Sequence, residues 1–317
     1  MLPGILIVLA LLLIYLGGCW WAYRFAFYSP KGKQNDDHTV PVSVESEPHL
    51  DDIHRMIDQL NAVPYEEVFV TSGDGLRLRG RYYHQNDDAP LAICFHGYRG
   101  TPTRDFSGGS RILARLGYNM LLVEERAHCG SEGHTISFGV NERKDCLAWI
   151  YHFHYRFPKT EIVLYGVSMG AATVLMAAGL PMPDAVKGIV ADCPFTEPLA
   201  IIKKVGRDVR VPAWVTTLVA PGSALIFGRF RLRSASALKA VREAKVPIML
   251  IHGEADSFVP CDMSRALHEA NPEGTELHTF PNANHGISYL ADPKRYAELV
   301  RDFSRRVLKD EGGCLRA

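Results

Sequence analysis

The amino-acid sequence predicts an α/β fold: a mostly parallel sheet with helices on both faces. Two observations carry that expectation. Short apolar runs rich in Val, Ile and Leu recur along the chain, with segments of helical character between most of them, and such alternation builds a parallel sheet. At the start, Ser72-Gly73-Asp74-Gly75 joins two strand-like runs, 67–71 and 76–83. That is a hairpin signal, and it puts antiparallel strands at one edge of the sheet.

In chain order, Leu2 to Tyr23 comes first. It carries no charged residue and is long enough to span about 30 Å of hydrocarbon as a helix. Trp20, Trp21 and Tyr23 fall at its far end, where amphipathic rings favour a membrane interface. Leu16-Gly17-Gly18-Cys19 resembles a lipoprotein cleavage box, but no basic residue precedes the run and it stays apolar past Cys19, unlike a signal peptide. A retained single-pass anchor over 1–28 is expected. Arg24, Lys31 and Lys33 follow the run and no side-chain charge precedes it. Positive charge stays on the cytoplasmic side, so the rest of the chain is expected there. Seven cysteines, an odd number with several standing singly in strand-like runs, fit a reducing compartment.

Residues 29–62 read as a polar, proline-containing arm followed by a short amphipathic helix, whose apolar face is Ile53, Met56, Ile57 and Leu60. A single large domain is expected over 63–310, an ordinary size for an α/β unit. After the hairpin, strands are predicted at 91–95, 118–124, 161–165, 186–191, 246–252 and 276–280. Helices are predicted near 105–117, 142–156, 168–180, 263–271 and 293–309. The segment from about 195 to 240 is longer than a normal crossover, and loops of that length are usually functional. It is expected to form a small helical cap whose apolar residues line an acyl or aromatic pocket.

The chemistry concentrates at Gly166-Val167-Ser168-Met169-Gly170, a G-x-S-x-G pentapeptide between the apolar run 162–165 and the helical run 171–178. Strand, sharp turn and helix are the context in which this pattern holds a nucleophilic serine in a strained backbone, hydroxyl exposed. A serine hydroxyl needs a base, and the partners should follow in the order acid, then histidine. Asp256 stands in the loop after the strand 246–252. His285 stands in the loop after the strand 276–280. Asp192, at the end of the strand 186–191, is the competing acid. Asp256 is preferred because it occupies the loop that this chain order requires.

Two further motifs complete the pattern. His96-Gly97-Tyr98-Arg99-Gly100 follows the strand 91–95, and Glu125-Arg126-Ala127-His128-Cys129-Gly130-Ser131-Glu132-Gly133 follows 118–124. Together with the elbow and the two loops, they make the chain resemble the serine α/β-hydrolases, in the branch of serine aminopeptidase-like and membrane-anchored esterase-like enzymes. The resemblance covers roughly Val63 to Leu308. It departs at Cys129, where the usual R-[GA]-H-G-x-S-x-G pattern has glycine. In that fold two backbone N–H groups stabilise the tetrahedral intermediate's oxygen. Met169, following the nucleophile, supplies one, and Tyr98 in the H-G loop is the candidate for the other.

Composition excludes other classes. Lysine plus arginine equals aspartate plus glutamate at 35 each, which gives no basic excess for a nucleic-acid partner. No phosphate-binding glycine motif and no H-E-x-x-H or paired C-x-x-C occurs, so no nucleotide cofactor and no metal are expected. The expectation is a membrane-anchored serine hydrolase that needs no cofactor and cleaves an ester or small acyl substrate. A peptidase or amidase is the alternative enzyme, and a non-catalytic binding scaffold is the alternative class.

Overall fold

The structure, a computed structural model, describes residues 2–30, 37–39 and 47–308. Eight strands form one sheet: β1 (Glu66–Thr71), β2 (Arg77–Tyr83), β3 (Leu91–Phe95), β4 (Asn119–Val123), β5 (Ile162–Val167), β6 (Val186–Asp192), β7 (Ile248–Gly253) and β8 (Thr275–Phe280). Their order is β1-β2-β4-β3-β5-β6-β7-β8. β2 is antiparallel to both β1 and β4, and every later pairing is parallel. This is the arrangement expected of an α/β-hydrolase.

Side chains alternate across the sheet, and both faces are covered. On β3, Leu91, Ile93 and Phe95 join one core with Trp149 and Phe153 of α5 (Glu142–Arg156) and with α6 (Met169–Ala177). Ala92 and Cys94 join the other core with Ile112 and Leu113 of α4 (Gly109–Arg115) and with Tyr296, Val300 and Phe303 of α12 (Pro293–Val307). Every residue of β3, β4 and β7 is buried, as expected of strands with helices on both faces.

The predicted strands are all present, with ends that coincide or shift by at most two residues. The long crossover holds α7 (Pro198–Asp208), α8 (Ala213–Ile226) and α9 (Ala237–Arg242). Cys129, the departure from the motif, sits at φ +46°. That is a left-handed conformation that glycine adopts without strain and cysteine does not.

The amino-terminal part differs from the sequence expectation. α1 (Leu2–Ala22) ends in one π-helical turn, Tyr23–Phe27. Sequence reading ends the anchor at 28 and begins the domain at 63, yet Phe27 is fully buried in the domain's core. Its ring packs edge-on to Phe138 and Phe230, both at 5.6 Å. Tyr28 pairs with Thr135, Ser29 N–H donates to the His134 carbonyl and Ile136 N–H to the Phe27 carbonyl. The loop at 134–136 offers backbone partners and the core offers a slot for one ring, and both lie too far along the chain for local pattern to reveal them. Most of the expected polar arm lies outside the described residues. α2 (Leu50–Asn61) then buries Ile53, Met56, Ile57 and Leu60, the face predicted from its spacing.

Candidate active site

The elbow is built by close packing. A Cβ on Gly166 would collide with the backbone of Gly170, and one on Gly170 would collide with the Phe95 carbonyl. Ser168 between them sits at φ 55°, ψ −112°, a strained conformation for a residue with a side chain. Ser168 N–H donates to the Asp192 carbonyl at 2.8 Å, which fixes the turn to the end of β6.

The structure brings the three predicted side chains together. Ser168 Oγ lies 2.8 Å from His285 Nε2. His285 Nδ1 lies 2.7 Å from Asp256 Oδ2. Asp256 is held from the other side: its Oδ1 accepts from the N–H groups of Phe258 and Val259 at 2.9 and 2.8 Å. His252 Nε2, from β7, lies 3.2 Å from Oδ2. Burial alone pushes this carboxyl up, but the hydrogen bonds from His252 and His285 outweigh it and hold Asp256 well below the usual carboxylate range. It is an anion at any pH where the imidazole works. Sequence reading missed His252. Its ring is buried and also bonds Ser264 Oγ and the Val259 carbonyl, long-range contacts with no local signature.

The competing acid, Asp192, is turned elsewhere. Its carboxylate accepts from Tyr296 Oη at 3.1 Å and Ser288 Oγ at 3.4 Å. Burial pushes it up to about 6, against the opposing influence of His252 and the Tyr296 bond.

The H-G loop passes directly over the serine. A Cβ on Gly97 would stand 3.3 Å from Ser168 Cβ. Gly97 N–H donates to Asp105 Oδ2 at 2.7 Å, and Arg104 Nε to Asp105 Oδ1 at 2.8 Å. Burial raises the Asp105 carboxyl, but Arg104 outweighs that and leaves it below its ordinary value. Tyr98 therefore projects from a loop clamped by a buried anion. Met169 opens α6, so its N–H belongs to the first-turn donors that have no acceptor within the helix.

Two motif histidines are scaffold. His96 Nδ1 bonds the Gly97 carbonyl at 2.9 Å, and its Nε2 accepts from Glu125 N–H at 3.1 Å. His128 repeats the arrangement with the Arg126 carbonyl and Arg99 N–H. Burial lowers both, His128 to about 3. Each stays neutral and braces one side of the H-G loop.

A cavity of about 510 Å³ opens on Ser168 and His285. Its apolar wall includes Ile53 and Met56 of α2, Phe106, Ile112, Ile287 and Leu290. None of the described residues from 195 to 240 lines it. The expectation that the cap forms the pocket is therefore corrected: α2, placed before the domain by sequence reading, supplies that wall. It does so because its apolar face points at the open carboxyl end of the sheet.

Cys193, Asp256 and His285 offer ligand atoms within 4.8 Å of one another. The carboxylate and imidazole already satisfy each other, and burial pushes the Cys193 thiol well up, so it keeps the proton a metal would have to displace.

Comparison with known proteins bears on this arrangement. Residues 107–311 match the prolyl oligopeptidase family. The chain belongs to that family. Among curated relatives, the uncharacterised protein YqkD of Bacillus subtilis is 25% identical over 257 residues, covering 80% of this chain and 83% of its own. The protein bem46 of Schizosaccharomyces pombe is 23% identical over 245 residues, 75% of this chain and 76% of its own. The solved Pyrococcus furiosus esterase Pf2001 superposes with a TM-score of 0.66 at 24% identity, covering 79% of this chain and 94% of that one. The Pyrococcus horikoshii acylaminoacyl peptidase gives 0.58 at 19%, covering 82% and 44%. These likenesses place the chain among the α/β-hydrolases with esterase and peptidase neighbours. Family membership makes this prolyl oligopeptidase-family protein a hydrolase.

Proposed function

We propose that this protein is a membrane-anchored serine esterase. Ser168 attacks the acyl carbonyl while His285 takes its proton. Asp256 fixes the imidazole with Nδ1–H toward the carboxylate and stabilises its charged form. The N–H groups of Tyr98 and Met169 receive the oxyanion, where one such donor is worth about 2.7–4 kcal/mol. His285 then protonates the leaving alcohol. Water, activated by the same histidine, releases the acid. The observation that carries this reading is the unbroken relay from Ser168 through His285 to Asp256 at the mouth of a largely apolar cavity.

The amide alternative has the family's name behind it. Against it, the esterase Pf2001 is covered over nearly its whole length and the acylaminoacyl peptidase over less than half. The acyl chain is assigned to the cavity walled by Ile53, Met56 and Ile112. Leu2–Phe27 is long and apolar enough to cross a membrane. Arg24 follows its uncharged run, and such charge favours a cytoplasmic catalytic domain.

The test is a series of p-nitrophenyl esters of graded chain length set against aminoacyl amides, with a fluorophosphonate probe counting active serines. Faster turnover of amides than of every ester would overturn the esterase reading. A probe that labels nothing would overturn catalysis altogether.

A further inference from the structure

Asp256 must stay within hydrogen-bond reach of His285, yet the two stand in different loops, one after β7 and one after β8. Asp256 Oδ1 accepts from two N–H groups of its own loop, and His252 faces Oδ2 from β7. Those contacts set the acid on its strand, not against the base. The roots of the two loops are joined by Ala255 N–H, which donates to the Ala283 carbonyl at 3.1 Å. Their tips are joined through the side chain of Asn284. Its Oδ1 accepts from Ser257 N–H at 3.0 Å and from His285 N–H at 2.8 Å. One donor comes from the residue beside the acid and the other from the base itself. Ser257 Oγ lies 3.4 Å from the same oxygen.

Lys204 of α7 closes the arrangement from the cap. Its ammonium donates to the Ser257 carbonyl and to Asp208 Oδ2, the latter at 2.7 Å. It also stands 5.8 Å from the centroid of the Phe258 ring, within cation–π range. That ring lies 5.1 Å from the ring of His285. Among the described residues Lys204 is the only buried lysine. Burying an ammonium is costly unless its donors are engaged. A pair with Asp208, four residues on, forms equally well on an exposed helix face, so it does not call for burial. The second bond, to Ser257, does. Ser257 is an exposed loop residue, and yet both of its backbone polar groups are gripped by side chains, the N–H by Asn284 and the carbonyl by Lys204.

We infer that Lys204 and Asn284 are positioning residues of the triad. They hold the Ser257 backbone from opposite ends and so keep Asp256 at 2.7 Å from His285 Nδ1. Both act through the acid and the base, and the cap serves catalysis through one ammonium instead of through the pocket wall. The inference rests on the serine-hydrolase reading of the site. A displacement of about 1 Å in such a relay costs on the order of 100-fold in rate, and it falls on the chemical step, whichever acyl chain is bound.

The test compares the full chain in detergent micelles with Lys204→Met, Asp208→Asn, Asn284→Leu and Asn284→Asp. kcat and KM are measured on p-nitrophenyl acetate and octanoate, per serine labelled to completion by a fluorophosphonate probe. The downfield proton signal of the His285–Asp256 hydrogen bond is recorded by NMR. Lys204→Met and Asn284→Leu are expected to lower kcat by about 10- to 100-fold, equally on both esters, with KM unchanged and the downfield signal broadened. Asp208→Asn, which keeps the bond to Ser257, and Asn284→Asp, which keeps the acceptor, should stay close to the parent. Parental kcat in both Lys204→Met and Asn284→Leu overturns the inference and leaves the triad intact. A loss confined to KM or to octanoate also overturns it, because the two side chains then act on substrate. Equal losses in Lys204→Met and Asp208→Asn assign the effect to the stability of α7 and overturn it as well. If Lys204→Met fails to fold, the Asn284 pair decides: loss in Leu with recovery in Asp supports the inference, and equal rates in the two overturn it. A parent chain that the probe does not label overturns the hydrolase reading itself, and this inference with it.

Discussion

Replacing Asp256 by Asn is expected to lower kcat by about 10⁴-fold, the scale of the matching change in another serine triad. The structure gives the reason. Oδ1 accepts from two backbone N–H groups at 2.8 and 2.9 Å, so the asparagine keeps its oxygen there. Its NH₂ then takes the place of Oδ2, facing His285 Nδ1 at 2.7 Å and His252 Nε2 at 3.2 Å. A donor would meet donors. The imidazole escapes by moving its proton to Nε2, and that nitrogen then no longer accepts from Ser168. Four decades correspond to about 5.4 kcal/mol. The assay is steady-state hydrolysis of p-nitrophenyl acetate, normalised by fluorophosphonate labelling so that unfolded protein is not counted. The control is Asp192→Asn, expected to stay within about tenfold, because Asp192 bonds Tyr296 and Ser288 and not the imidazole. Its effect belongs to stability instead. Burial raises Asp192 from 3.8 to about 6, so between those values the folded state binds the extra proton and stability falls as pH rises. Above pH 6 the buried charge is carried in full, a cost of up to about 3 kcal/mol at 1.36 kcal/mol per unit. Asp192→Asn should therefore raise Tm at pH 8 and leave it nearly unchanged at pH 4. A loss of a thousandfold or more in Asp192→Asn, with Asp256→Asn nearly as active as the parent, would refute the assignment of the acid.

Ser168→Ala should abolish both hydrolysis and probe labelling with Tm nearly unchanged; retained labelling would identify a different nucleophile. Gly170→Ala drives a Cβ into the Phe95 carbonyl and should destabilise the fold beyond the usual 1–3 kcal/mol of overpacking, checked by denaturant titration against Gly109→Ala, whose Cβ meets nothing nearer than 3.7 Å. Met56→Trp should fill the α2 wall of the cavity; each excluded methylene costs about 0.8 kcal/mol, so losing room for three lowers the octanoate-to-acetate rate ratio by roughly 50-fold, and an unchanged ratio would move the acyl site elsewhere. Phe27→Ala should cost about 3–5 kcal/mol of domain stability, although the residue follows directly on the apolar helix; a loss under 1 kcal/mol would mean the ring is not part of the core.

What was legible in the sequence was what local chemistry enforces. Two glycines around Ser168 are demanded by backbone contacts on both sides of the turn, so the elbow is written in five consecutive residues. Asp256 and His285 were legible because each stands in the loop directly after a carboxyl-terminal strand. The sheet was legible because parallel strands are apolar on both faces: β3 is apolar throughout, and β4 and β7 carry the apolar runs Met120–Val123 and Ile248–Ile251. The remainder depends on distant partners. His252 looks like the last residue of a strand, and only the return of the 256–259 loop makes it a brace for the acid. Ile53 and Met56 announce an amphipathic helix but not which surface it covers. Phe27 reads as the tail of an anchor because the slot between Phe138 and Phe230 is more than a hundred residues away. The cap's apolar residues suggested a pocket, yet apolar composition alone does not say whether a face looks toward a substrate, a core or a lipid.

The seating of Phe27 has a mechanical consequence. Arg99 Nη2 donates to the Phe25 carbonyl at 2.7 Å, and Tyr98 Oη donates to the Ala26 carbonyl at 2.8 Å. The last turn after α1 is thus clamped to the H-G loop, which is proposed to carry an oxyanion donor. A hydrolase on a floppy tether would tumble above its membrane and meet substrate from any direction. Here the triad keeps one fixed tilt and one fixed height relative to α1. For a chain held in lipid, tumbling is lost; lateral drift and spin about the helix axis remain. Encounter becomes a search in two dimensions, confined to molecules that arrive at that height.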